Sequence, residues 1–321
     1  MREEISRRNL LACLGLMTIP PALTTSKVAV GTAHAATSSE GVNGPRVAAL
    51  GWATAQSLLA IGAEPLLMPE IERYSRLVVE PPVPESVREA GLRSEPSLEL
   101  LAQLQPDLIV IDPSLGGARA RLERIAPVEV FDIRATETHS AYERSGLAIR
   151  EIALRLGMEE ACESYLARVE DTISAAVPGF AQYRGGPVYV VGELVRNAML
   201  VFGGRCIYQD LLDRFGLQNA WTGPTSAWGH ATVPLEVMAE VPEARLLLLS
   251  RQAADLKAMI EARPLTRRLP FVRDGRITVL DNMLFYGGVP TADRFTRLLV
   301  ERLPLDKSGS GAATGEETGH G

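Results

Sequence analysis

Histidine and cysteine are scarce in this sequence, four and three residues in 321. That scarcity removes most metal and nucleophile chemistry. His34, His139, His230 and His320 form no HExxH, and no CxxC occurs. A catalytic zinc takes three protein ligands and keeps a fourth position open, which this inventory hardly supplies. There is no GxSxG elbow, no Walker loop and no GxGxxG after a strand pattern. Basic excess is missing too: 33 Lys and Arg stand against 39 Asp and Glu, a formal charge of −6. Such a chain lacks the cationic face that nucleic-acid phosphates require. No apolar run is long enough to span a bilayer as a helix.

What is there begins with an address. Ser6-Arg7-Arg8-Asn9-Leu10-Leu11 is a twin-arginine export pattern, followed by an apolar run over 10–19 and by Ala33-His34-Ala35. Cleavage is expected before Ala36, so residues 1–35 read as a signal peptide and the periplasm as the destination. Removing them takes away four basic and two acidic residues and moves the charge from −6 to −8. Cys13 leaves with the leader and lies too close behind Arg8 to be a lipoprotein acceptor. Cys162 and Cys206 remain, as a disulfide in an oxidising compartment or as two buried thiols.

Short β-rich apolar runs alternate with amphipathic segments, which predicts an α/β fold of mainly parallel sheet covered by helices. Strands are expected at 46–50, 108–111 and 128–131, with helices at 54–61, 98–104 and 118–125. Residues 44–140 make an N-terminal lobe. Residues 141–178 carry almost no strand chemistry; Gly157 ends one helix, and a second, 159–177, is stopped by Pro178-Gly179. A C-terminal lobe covers 186–304. The tail 305–321 has too few apolar side chains to order itself. A brief echo supports two related lobes: Leu98–Leu104, Pro106 and a strand in one, Leu235–Val241, Pro242 and a strand in the other. Ligand contacts in such sheets come from loops beyond the strand C-termini. Those loops hold Trp52 and residues 112–117, 193–197 and 284–291. Arg93, Trp228 and His230 lie ahead of the repeated helices.

Several blocks are specific. They include 80–87 and 91–101, Arg124-Ile125-Ala126-Pro127, Met199-Leu200-Val201-Phe202-Gly203, Asn219-Ala220-Trp221, Trp228-Gly229, Pro270-Phe271-Val272-Arg273 and Phe285-Tyr286-Gly287. With their spacing, residues 46–302 resemble the periplasmic ferric-hydroxamate siderophore-binding proteins of ABC importers. The resemblance implies a class III periplasmic binding protein: two αβ lobes joined by one long interlobe helix, with a shallow cleft and little hinge motion. It implies a monomer with no catalytic residue, no metal ligand and no intrinsic cofactor. Its ligand would be a ferric siderophore, handed to an inner-membrane ABC permease.

Residue by residue, Arg93 matches the arginine that hydrogen-bonds ligand oxygens on iron, a role suited to a charged fork of donors. Trp228, Tyr286 and Trp52 match aromatics of the cleft. Leu115 stands where the family has a ligand-contacting tyrosine, and Leu77 and Leu284 where it has tryptophans. Arg119 and Arg121 would compensate with charge, favouring a more anionic, carboxylate-bearing chelate. Glu236 matches a permease-docking acid, and Glu123 lies one turn from its lobe-one counterpart. Apart from the resemblance, Arg93 would simply be solvated or paired with Glu95, His230 incidental, and Trp221 internal. Two other readings remain open. One is a binding protein for haem or a corrinoid; the other is a siderophore esterase, for which His139 and His230 alone offer a histidine base.

Overall fold

The computed structural model describes residues 44–249 and 253–305. The twin-arginine pattern, the cleavage site and nearly all of the tail lie outside the described residues.

The first lobe is built on a three-stranded parallel sheet in the order Val47–Ala49, Leu108–Ile111, Val128–Val130. Its central strand is Leu-Ile-Val-Ile, buried throughout. Leu108 and Val110 face the main core, while Ile109 and Ile111 face a second cluster with Leu101, Leu115 and Leu122. Both faces are covered, which is why the strand is continuously apolar rather than alternating. The second lobe has a five-stranded sheet in the order His230–Pro234, Ala198–Phe202, Val188–Val195, Arg245–Leu248, Ile277–Val279. Four of these strands run in one direction, but Ala198–Phe202 is reversed and pairs antiparallel with both its neighbours, so this sheet is mixed.

The middle segment folds as two helices, Ala141–Leu156 and Glu159–Phe180. The first opens on a capping box, Ser140 with Glu143, and ends on Gly157 at φ +66°. Contrary to expectation, Pro178-Gly179 does not stop the second. Pro178 and Ser174, whose carbonyl loses its donor to the proline, both face solvent, and one further turn buries Phe180 against Phe215 at 4.6 Å. The expected helix 118–125 is a 3-10 turn, Pro113–Ala118, followed by only one α-turn, Arg119–Leu122.

One core cluster runs from the first sheet through the Glu159–Phe180 helix into the second sheet. The last helix, Val289–Arg302, packs on that helix and also on Trp52–Ala60 of the first lobe. Polar ties cross the lobes beside it. Thr291 Oγ1 donates to Gln56 at 3.2 Å, Asn282 Nδ2 to the Arg76 carbonyl at 2.9 Å, and Glu80 is paired with Arg294 and Arg297.

Candidate functional site

The residues on the first lobe's side of the cleft come from the ends of its strands and from one hairpin. Strands Gly91–Leu92 and Glu95–Pro96 pair antiparallel, leaving Arg93 and Ser94 as the two-residue turn. Arg93 Nε donates to Glu70 at 3.0 Å, and its guanidinium lies 3.9 Å from the centroid of Trp52. The pairing is therefore with Glu70, not Glu95. Trp52 opens the helix after the first strand, is 2% exposed, and donates its indole N–H to the Pro69 carbonyl at 2.9 Å.

Asp112 follows the strand Leu108–Ile111. Its carboxylate accepts from Thr54 Oγ1 at 3.1 Å. It packs so tightly on Gly51 that a Cβ there would lie 2.2 Å from the carboxylate, so a side chain at 51 would require the Asp112 carboxylate to move. Burial pushes the Asp112 carboxyl up to about 6, against the lowering effects of the Thr54 hydrogen bond and the Arg93 charge.

The second lobe supplies a wall of rings. Tyr286 lies 5.6 Å from Trp228 and 5.9 Å from Phe202, centroid to centroid. His230 contacts it at 5.5 Å between rings, with 3.3 Å from Nδ1 to the phenol oxygen. His230 thus touches Tyr286 from the first residue of the strand His230–Pro234, and its Nδ1 also lies 3.1 Å from Ser226 Oγ. Burial lowers its affinity for a proton.

Arg93, Trp52, Asp112, Pro113, Ser114, Phe131, Ile133, Trp228, Leu284 and Tyr286 with Ala53 enclose a cavity of about 170 Å³. A small annex shares Ile133, Trp228 and Tyr286 and adds Arg134 and Arg205. The Arg134 guanidinium lies 5.5 Å from the Trp228 ring centroid and is held by Asp132 at 2.6 Å. The arrangement offers cationic donors to ligand oxygens and aromatic faces to apolar linkers.

The structure therefore brings Arg93, Trp228, Tyr286 and Leu284 together in one cleft. Trp52 also reaches the cavity, but as a buried platform beneath Arg93 and not as an open ring. Leu115 is not in the wall: it is 5% exposed and sits in the lobe-one core, because the 3-10 turn points it inward. Leu77 is likewise core. Residues 193–197 are no loop beyond a strand end but the tip of a hairpin between Val188–Val195 and Ala198–Phe202. Arg119 is tied to Glu123 at 2.7 Å, and neither it nor Arg121 lines the cavity. The charge they were to supply is therefore not in the site. Trp221 is only half-buried, packed against the second-lobe core and beside Gly203 and Gly223. Cys162 and Cys206 are buried free thiols. Glu236 is exposed and makes no ion pair among the described residues, while Glu123 is held by Arg119.

Sequence reasoning missed Asp112 as an individual, together with Phe131, Ile133 and Arg134. The signal was available, since all four lie at or just past the C-terminal ends of parallel strands.

Residues 47–284 match the family model described as periplasmic binding protein. The iron(3+)-hydroxamate-binding protein FhuD of Escherichia coli (strain K12) is 34% identical over 296 residues, 92% of this chain and 95% of that protein. The siderophore-binding protein FhuD from Vibrio cholerae, solved with Fe3+–Desferal bound, superposes with TM-score 0.71 at 25% identity, over 81% of this chain and 97% of that chain. The petrobactin-binding protein YclQ from Bacillus subtilis shares the fold with TM-score 0.65 at 16% identity, over 81% of this chain and 92% of that chain.

Proposed function

This chain belongs to the periplasmic binding protein family, and from that premise we propose that it captures an iron(III)–siderophore complex, of hydroxamate or mixed carboxylate type, and delivers it to an inner-membrane ABC permease. The observation that carries the reading is the pairing of Arg93, fixed on Trp52, with the Trp228–Tyr286 wall across one cavity. The relative named for binding iron(3+)-hydroxamate and the siderophore-binding protein solved with Fe3+–Desferal are both similar to this chain over most of its length.

The iron arrives already chelated, so binding is a matter of the chelate's outer surface. Charge-assisted hydrogen bonds from Arg93 meet the hydroxamate oxygens, and Trp228, Tyr286 and Leu284 cover the apolar linkers. The protein acts as a binding protein and not as an enzyme, as a monomer, after export to the periplasm by the twin-arginine route. Exposed Glu236 on one lobe, and Glu123 on the other, present acids to basic permease surfaces, a docking weakened by salt.

Tryptophan fluorescence provides the test, because Trp228 lines the cavity and Trp52 sits beneath Arg93. Titration with a ferric trihydroxamate, a ferric carboxylate-type chelate, haem and a corrinoid is expected to give saturable quenching with the ferric siderophores. Quenching by haem or the corrinoid alone would replace this reading with one of those cargoes, and release of hydrolysed siderophore would replace it with an esterase.

A further inference from the structure

The charges of the cleft do not balance in the way a purely anionic ligand would favour. Arg93 already has Glu70 at 3.0 Å, and Arg134 has Asp132 at 2.6 Å. Arg205, in the annex, is exposed and donates to the Ala135 carbonyl at 2.8 Å. Asp112 faces the main cavity with a single protein hydrogen bond, from Thr54, and no ion pair among the described residues. A carboxylate accepts about four hydrogen bonds, so most of its capacity is unspent.

We propose that Asp112 forms a subsite for a protonated amine on the peripheral arm of the siderophore, and so selects among chelates of the same iron-binding core. This rests on the siderophore reading above. Three features support it. First, the carboxylate packs directly on Gly51 and accepts a hydrogen bond from the Thr54 hydroxyl, which orient it. Second, the part-buried carboxylate has no direct ion pair among the described residues, and the Arg93 charge only partly offsets its burial; a ligand cation reduces the remaining cost. Third, Trp228 and Tyr286 line the same cavity, and aromatic faces attract cations.

Groups from several elements surround Asp112. The hairpin contributes Arg93, the helix Trp52–Ala60 contributes Thr54, its own turn contributes Ser114, and the second lobe contributes Trp228 and Tyr286, the latter backed by His230. Arg93 is the one cation among them, and Glu70 offsets it. The cleft is thus bipolar: donors from Arg93 for the chelate oxygens, an acceptor at Asp112 for an ammonium.

The test compares two linear ferric trihydroxamates with the same backbone, one ending in a free primary amine and the other with that amine acetylated. The full-length protein is titrated with each at pH 7.5 by tryptophan quenching. The amine form is expected to bind about five- to tenfold tighter. In Asp112→Asn and Asp112→Ser, each keeping a polar side chain without the charge, the ratio is expected to fall to within about twofold. Equal affinities in the parent protein, or a preference that survives in both variants, would overturn the subsite while leaving the siderophore reading intact. Failure of both chelates to bind the parent protein would overturn the subsite and the siderophore reading together.

Discussion

The guanidinium of Arg93 lies 3.9 Å from the ring centroid of Trp52, with Nε committed to Glu70 at 3.0 Å. Its two terminal amino groups make no protein hydrogen bond among the described residues. The cation is therefore oriented from below and from one side, with donors left for a ligand. Arg93→Ala is expected to weaken binding of a ferric trihydroxamate about tenfold or more. Arg93→Lys should restore only part of this, because an ammonium lacks the planar fork. Quenching titrations beside melting curves check it; an unchanged affinity in a folded Arg93→Ala protein contradicts the role.

Trp52 and Trp228 are expected to separate stability from binding. Trp52 is buried and donates to the Pro69 carbonyl, so Trp52→Phe leaves that acceptor unpaired and should cost about 1–2 kcal/mol in urea unfolding. Trp228 is only half-buried. Trp228→Ala should weaken chelate binding several-fold with little change in the urea midpoint. The opposite pattern would place the ligand against Trp52 instead.

Asp112 gives a pH dependence with a definite sign. Its folded value of about 6 lies above the ordinary 3.8, so the fold favours the protonated form. The stability this group contributes is present below the ordinary value and lost as pH rises through about 6. Asp112→Asn should therefore be more stable than the parent at pH 7.5, by at most about 3 kcal/mol, and the gap should close towards pH 4. Carboxylates held low by arginines, such as Glu170 with Arg214 and Asp281 with Arg302, run the other way, their contribution falling in acid. The difference between variant and parent isolates Asp112. Equal urea midpoints at both pH values would contradict the assignment.

The two free thiols offer a simple chemical check. Cys162 and Cys206 are buried, and burial pushes the Cys206 thiol up to about 12. The thiolate is the reactive form, so neither should react with iodoacetamide at pH 8 in the folded protein. Both should react after denaturation without reductant. A requirement for reductant would reveal a disulfide.

The pattern of the strands was legible because burial on both faces leaves an unbroken apolar run, as in Leu108–Ile111 and Val188–Val191. Arg93, Trp228 and Tyr286 were legible from the blocks around them. What escaped was set by tertiary packing. Pro178 reads as a stop, yet the burial of Phe180 carries the helix past it. Leu115, expected at a contact position from the resemblance, turns into the core with its 3-10 turn. Residues 193–197 look like a loop until Ala198–Phe202 returns as their partner. Asp112 has an ordinary sequence context; only the neighbouring Gly51, Thr54 and Arg93, brought together by the fold, make it distinctive.

Native mass spectrometry of the protein recovered from iron-starved cells tests the central claim most directly. The expected spectrum shows one added mass equal to a ferric siderophore, lost when Arg93 is replaced by alanine. A haem or corrinoid adduct would contradict the account, as would bare protein that stays bare in saturating ferric trihydroxamate.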